Sequence, residues 1–253
     1  WQPAVIVSGQ EEAFRALHGD EAFADGEKVQ HHLTWEERNP GSIRRSVSAA
    51  RENARSIREV VSLETWEAVN ELHLYLAGAG QQAWREDRHG FYRHVRQAAQ
   101  LCLGVVHATM LHDDAFDFIM LGVYLERAGQ TARILDVHHH ALSRMAAHQV
   151  VEVALWLALL RACSGFEPFM KVHRGRVSPA AVARFLVVDP LFPRSVRFSL
   201  RAAVSRFERL RPPEQVDLPG ARSAARLVAL AGWVGALEKD FDVAGLHELL
   251  THV

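Results

Sequence analysis

Apolar residues recur at spacings of three and four along most of this chain, the signature of helices that bury one face. The clearest run follows Asn39-Pro40, where a capping side chain precedes a residue tolerated at the first helical position. It continues through Ile43, Val47, Ala50, Ala54, Ile57 and Val61. Ser62 restarts a second helix carrying Leu63, Trp66, Val69 and Leu72, ended by Gly78. A third is predicted over Phe91–Met110, and a central helix capped by Asp113 or Asp114 runs to Met145. The strongly apolar stretch Val150–Lys171 predicts one continuous helix. Ser178-Pro179 opens a short one closing near Asp189-Pro190, and Pro193 opens another that reaches Leu210. Arg211–Gly220, rich in proline, reads as a linker before a last pair over Ala221–Leu237 and Val243–Leu250. No run shows sustained strand alternation, so the expected fold class is all-α, a helical bundle.

The helix starts also repeat. Pro40-Gly-Ser42-Ile43-Arg44-Arg-Ser46-Val47 matches Pro193-Arg-Ser195-Val196-Arg197-Phe-Ser199-Leu200 at a distance of 153 residues, with Leu33 opposite Leu186 and Glu36 opposite Asp189 in the same register. This predicts one domain over 1–253 made of two related helical halves by internal duplication, approximately 1–112 and 113–253. In that register the counterpart of Glu126-Arg127 falls before residue 1. The chain opens with Trp1 rather than Met, so an N-terminal helix is expected to be missing.

Composition narrows the classes. With 49 % hydrophobic residues over 253 positions the chain can bury a substantial core, and a net charge of −1 provides no overall field for nucleic acid or a membrane surface. The longest apolar candidate, Val150–Leu160, is interrupted by Glu152 and falls short of the roughly 20 residues a bilayer span needs. Cys102 and Cys163 sit inside apolar helical patterns and read as small buried hydrophobes, and no secretory signal is visible, which suggests a bacterial cytoplasmic protein. Lysine occurs only at 28, 171 and 239, so the cations are nearly all arginine, the side chain whose fork binds both oxygens of a carboxylate or phosphate.

Two constellations could carry chemistry. The first is Glu126-Arg127, set among Phe116, Ile119, Met120, Leu121, Val123, Leu125, Ala128 and Ala132. A helix so apolar around its circumference is expected to be buried. Adjacent helical residues point about 100° apart, so the two charges need separate partners, for which Arg133, Gln130, Thr131 and Asp136 are candidates. Such a pair serves either as a structural ion network or as a polar site. The second is the basic face of Arg44, Arg51, Arg55 and Arg58, with Glu52, Asn53 and Glu59 nearby and Glu64 beside Trp66; Arg194, Arg197 and Arg201 repeat it in the second half. The fifteen histidines yield no metal motif, because the run His138-His139-His140 points in three directions. No nucleophile elbow, P-loop or Gly-x-Gly-x-x-Gly is present, so no cofactor is expected to bind this chain alone.

The stretches Leu33–Asn70, with Arg51-Glu52-Asn53-Ala54-Arg55, and Leu121–Asp136, with Tyr124-Leu125-Glu126-Arg127-Ala128, resemble the bacterial alpha-E family, as does Asp189–Leu200. That family is named for its all-α fold and its Glu-Arg motif. The resemblance implies a poorly characterised domain associated with circularly permuted ATP-grasp and transglutaminase-like proteins, in peptide or amide-bond synthesis or modification. It implies a circularly permuted ATP-grasp protein as partner, a peptide or amino-acid substrate, and ATP and Mg only through that partner. Arg51, Arg55, Arg127 and Arg133 would clamp an anion, with Glu52 and Glu126 orienting them or binding an amine; Asn53, Glu64 and Arg197 complete the candidate site. Two alternatives stand beside it: a stand-alone enzyme using Glu126 as general acid or base, its pKa raised by burial, and a non-catalytic scaffold of the same system.

Overall fold

The structure, a computed structural model, describes residues 1–143, 149–174, 177–212, 214–215 and 218–237, with side chains left undescribed over 139–150. It is all-α: thirteen α-helices and one short 3-10 helix, with no strand among the described residues. The chain divides into two compact units, Trp1–Phe116 and Asp117–Val253.

In the first unit, α1 (Gln2–Val7), α2 (Glu11–His18), a 3-10 turn (Asp20–Ala24) and α3 (Gly26–Thr34) enclose Val5, Phe14, Phe23 and Val29. Asp25 caps α3 through the Glu27 and Lys28 amides. After it come α4 (Ile43–Ser56), α5 (Leu63–Ala77), α6 (Gly80–Glu86) and α7 (Arg88–Thr109). They close over a second core of Trp35, Leu72, Leu76, Trp84 and Phe91, each large side chain contributing about 1.5–3 kcal/mol by leaving water. The ends of α5 and α7 are tied antiparallel: Tyr75 stacks on Phe91 near one end, and Ser62 Oγ bonds Thr109 Oγ1 at the other. Helices α1–α3 and α6 were not singled out by the apolar pattern.

The second unit holds α8 (Asp114–Ser143, its first residues preceding the division), α9 (Gln149–Ala162), α10 (Phe166–His173), α11 (Pro179–Val188), α12 (Val196–Leu210) and α13 (Ala221–Ala236). Its core runs through Leu121, Leu135, Trp156, Leu160, Phe169 and Leu186. The expected helix over Val150–Lys171 is broken: α9 and α10 meet at a 118° bend. Ser164 takes φ 54°, and a Cβ on Gly165 would lie 3.0 Å from Phe192 Cζ, so aromatic packing requires glycine at the corner. No single described helix is long and apolar enough to cross a membrane; the bent pair passes by length and composition, but Trp156, Leu160 and Phe169 spend their apolar surface in the core. The expected helix over Val243–Leu250 lies outside the described residues.

The two predicted proline starts are both displaced, and in the same way. Helix α4 begins at Ile43 with Ser42 as its cap, and α12 at Val196 with Ser195 as its cap; each hydroxyl accepts the amide of the third residue on. Asn39 cannot cap because its amide donates to the His32 carbonyl and its oxygen accepts from Gly41 N. The turns share a further bond: Glu36 and Asp189 each accept the amide two residues ahead, Arg38 N and Leu191 N. Each unit thus contains a helix, a carboxylate-pinned turn and a serine-capped helix at the predicted spacing. At that spacing α3 and α4 correspond to α11 and α12.

Candidate functional site

The burial expected for the central helix is not found. Along α8, Phe118, Gly122, Leu125 and Glu126 form an exposed stripe, with the Glu126 side chain 74 % exposed. The opposite stripe of Phe116, Met120, Leu121, Ala128, Ala132 and Leu135 is buried. Counting apolar residues overstated the buried circumference, because Phe118 and Leu125 face outward and carry Glu126 with them.

The two members of the pair do diverge. Glu126 accepts from Arg133 Nη2 at 3.1 Å, two turns along, and the same nitrogen donates to Gln130 Oε1 at 2.9 Å. Gly129 permits this reach: a Cβ there would lie 3.3 Å from Arg133 Nη1. With both side chains well hydrated, such a pair is worth about 0–1 kcal/mol, so it positions more than it stabilises.

Arg127 turns the other way and is half-buried. Its guanidinium reaches back toward the Tyr124 ring, 5.9 Å from the centroid, and no carboxylate pairs with it among the described residues. Thr131, one turn on and on the same face, donates to the Arg194 carbonyl at 2.9 Å, which brings the turn between α11 and α12 against α8. The Arg194 side chain likewise makes no hydrogen bond or ion pair among the described residues. Burial lowers the Arg127 pKa, and the neighbouring Arg194 charge lowers it further. The same Arg194 charge opposes the rise at Cys163, whose thiol burial pushes up to about 11. Two guanidinium groups therefore share one partly desolvated corner without a counterion among the described residues, an arrangement that an anion relieves.

The remaining candidates separate by unit. In the first, Glu52 bridges Arg51 Nη1 (2.6 Å) and Arg55 Nε (2.8 Å), and both cations hold its pKa down, Arg55 foremost. Arg51 Nε also donates to Asn70 Oδ1 at 2.8 Å, and Arg51 and Arg58 lie over Trp66 at 5.5 and 5.2 Å. Asn53 and Glu64 are exposed and do not join the cluster among the described residues. In the second unit, Arg197 Nη1 donates to the Val188 carbonyl at 3.2 Å, locking α12 to the end of α11. Glu126 and Arg133 meet, while Arg127 stands apart from both, with Arg194.

Sequence reasoning placed Arg194 on the basic face but not at the site; its register after Pro193 was the available signal. It missed Asp117 entirely. That carboxylate is 2 % exposed and accepts from Arg206 Nη1 at 2.8 Å and Arg209 Nε at 2.6 Å, fastening α8 to α12. Several described histidines pack against aromatic rings: His32 against Phe14 and His18, His112 on Phe116, and His138 on the Trp156 edge. No three metal-ligating side chains converge among the described residues. Between α12 and α13 lies a groove of about 490 Å³ that is mostly apolar, with Val204, Phe207, Leu227 and Val228 among its lining and Glu208 and Arg211 as its charged residues.

The model of a family described as a predicted alpha-helical domain with a conserved ER motif matches residues 1–253. Uncharacterized proteins of Mycobacterium bovis and of two Mycobacterium tuberculosis strains are each 26 % identical over 212 residues, covering 77 % of this chain and 21 % of the relative. The chain thus spans about a fifth of the length of these curated relatives. No solved structure matches.

Proposed function

Because the chain belongs to the alpha-E family, we propose that it is an anion-receiving helical domain working beside a circularly permuted ATP-grasp protein in peptide or amide-bond synthesis or modification. The observation that carries the proposal is the half-buried Arg127 guanidinium on the Glu-Arg helix, facing Arg194 without a carboxylate among the described residues. The anion is the carboxylate or phosphate of a peptide or amino-acid substrate, held by paired N–H donors whose strength rises as water leaves. Glu126, through Arg133, sets the outer edge of the site instead of acting as acid or base, since its exposure removes the burial that role needs. ATP and Mg belong to the partner in this proposal. The matched region fills a fifth of each mycobacterial relative, which suits a module acting alongside other domains.

The test reconstitutes the chain with an ATP-grasp partner and follows product formation. Arg127→Ala is expected to lower the rate about 10- to 100-fold, the loss of one charge-assisted contact of about 1.5–3 kcal/mol. Arg127→Lys recovers only part of it, because an ammonium lacks the fork. An unchanged rate in a folded Arg127→Ala protein refutes the proposal. A second reading, a scaffold without a small-molecule site, draws on the exposed Phe118 and Leu125 of α8. It predicts that Phe118→Ser abolishes co-purification with the partner while Arg127→Ala leaves the chemistry intact.

A further inference from the structure

The interface of α5 and α7 is not closed along its length. At Ala68 and Ala98 each helix presents a methyl group where larger side chains would meet, and a groove of about 380 Å³ opens between them. Leu72, buried, is its apolar floor, and Leu101, half-exposed, is one rim. Ala68 and Tyr75 lie seven residues apart on one helical face, so the groove runs for about 10 Å along α5. Tyr75 and His94 close one end as an aromatic wall, their ring centroids 4.3 Å apart.

Its chemistry is one-sided. Glu71 is the only Asp, Glu, Lys or Arg among the lining residues, and no cation pairs with it among the described residues. Gln97 and Tyr75 also line the groove, and neither side chain makes a hydrogen bond among the described residues. This contrasts with Glu52, on α4 in the same unit, which is shared between two arginines. Burial raises the Tyr75 pKa, so its phenol stays neutral and its oxygen can accept from a donor. An anion would meet Glu71 with no compensating charge, and a neutral alkyl chain would leave Glu71, Gln97 and Tyr75 unused.

We propose that the α5–α7 groove is a binding site for an alkylammonium group, a primary amine on a short methylene chain, with the stem over Ala68, Leu72 and Ala98 and the ammonium at Glu71 between Gln97 and Tyr75. The site lies wholly within the first unit and stands whether or not the anion site at Arg127 does. It gives this face of the domain an affinity for free amines or lysine-like side chains, the opposite charge class from that expected at Arg127.

The intact chain is titrated with 1,5-diaminopentane, and with 1-pentanol and pentanoate as neutral and anionic controls, by calorimetry and amide chemical shifts. The expected result is saturable diamine binding with shifts confined to α5 and α7, and neither control saturating over the same range. Glu71→Gln weakens binding at least tenfold, and Ala98→Leu, which fills the groove with a good helix former at a partly exposed position, abolishes it. Circular dichroism checks that both variants fold; both sites are helix positions outside the buried core. Equal binding of pentanol, unchanged diamine affinity in folded Glu71→Gln, or no saturable binding up to tens of millimolar overturns the proposal.

Discussion

Removing the Asp117 carboxylate tests whether the second unit is held by the buried charge triad. Its side chain is 2 % exposed, with Arg206 22 % and Arg209 51 % exposed. Breaking a fully buried pair from one side costs about 3–5 kcal/mol, because the orphaned charge stays in low dielectric. Arg209 is already half in water and rehydrates when released, so its share falls toward that of a surface pair. The loss expected for Asp117→Ala is therefore about 2–3 kcal/mol, most of it from Arg206. In a chain of this size each kcal/mol moves the midpoint by about 2–4 °C, which gives a fall of about 4–12 °C. Asp117→Asn keeps an acceptor and loses about half as much. Urea unfolding followed by far-UV circular dichroism reads both, and an Asp117→Leu, Arg206→Met double variant is expected to recover most of the loss, since the charge that stays, Arg209, is already half in water. If Asp117→Ala stays within about 0.5 kcal/mol of the parent, the triad is not what fastens α8 to α12.

Glycines at two positions give opposite signs: Gly165→Ala destabilises by about 1–3 kcal/mol because its Cβ meets Phe192 at 3.0 Å, whereas Gly122→Ala, open on every side in mid-helix, stabilises by about 0.5–1 kcal/mol, both read by thermal melts. The His32 pKa is lowered by burial and by His18, so the unfolded chain binds its proton more readily; stability at this site is fully present above about pH 6.5 and is lost as pH falls toward the depressed folded value. Melts between pH 5 and 7.5, expected to flatten in His32→Phe, check that sign. Cys163, its thiol pushed up to about 11 under burial, reacts with a thiol reagent at pH 8 only on unfolding, while half-buried Cys102 reacts slowly in the native protein; mass spectrometry of the labelled chain distinguishes them.

Helical class and most helix positions were legible because local periodicity carries them, and the repeat was legible because both turns solve the same local problem with the same atoms. Ser42 and Ser195 cap, and Glu36 and Asp189 pin the turn, through bonds spanning three residues or fewer. The helix starts were misread by three residues for a tertiary reason: Asn39 spends its side chain on the His32 carbonyl seven residues back. The Ser164–Gly165 corner was illegible in the same way, since the aromatic that demands glycine there is Phe192. Asp117 finds its arginines 89 and 92 residues away, a distance over which no spacing rule operates.

The Glu126-Arg127 pair shows where the boundary between the two kinds of information falls. That adjacent helical residues must separate is a property of the helix, and it holds: one side chain goes to Arg133, the other toward Tyr124 and Arg194. Which of them faces solvent depends on the rotation of α8 about its own axis. That rotation is fixed by Asp117 at one end and by Thr131 bonded to the Arg194 carbonyl further on. Both anchors reach across the unit to α12 or the turn before it. A helix held at those two points presents Glu126 outward and places Arg127 in the corner with Arg194, so the charge left without a counterion among the described residues is the positive one. The chemical class proposed for the ligand, an anion, follows from that rotation more than from the composition of the pair.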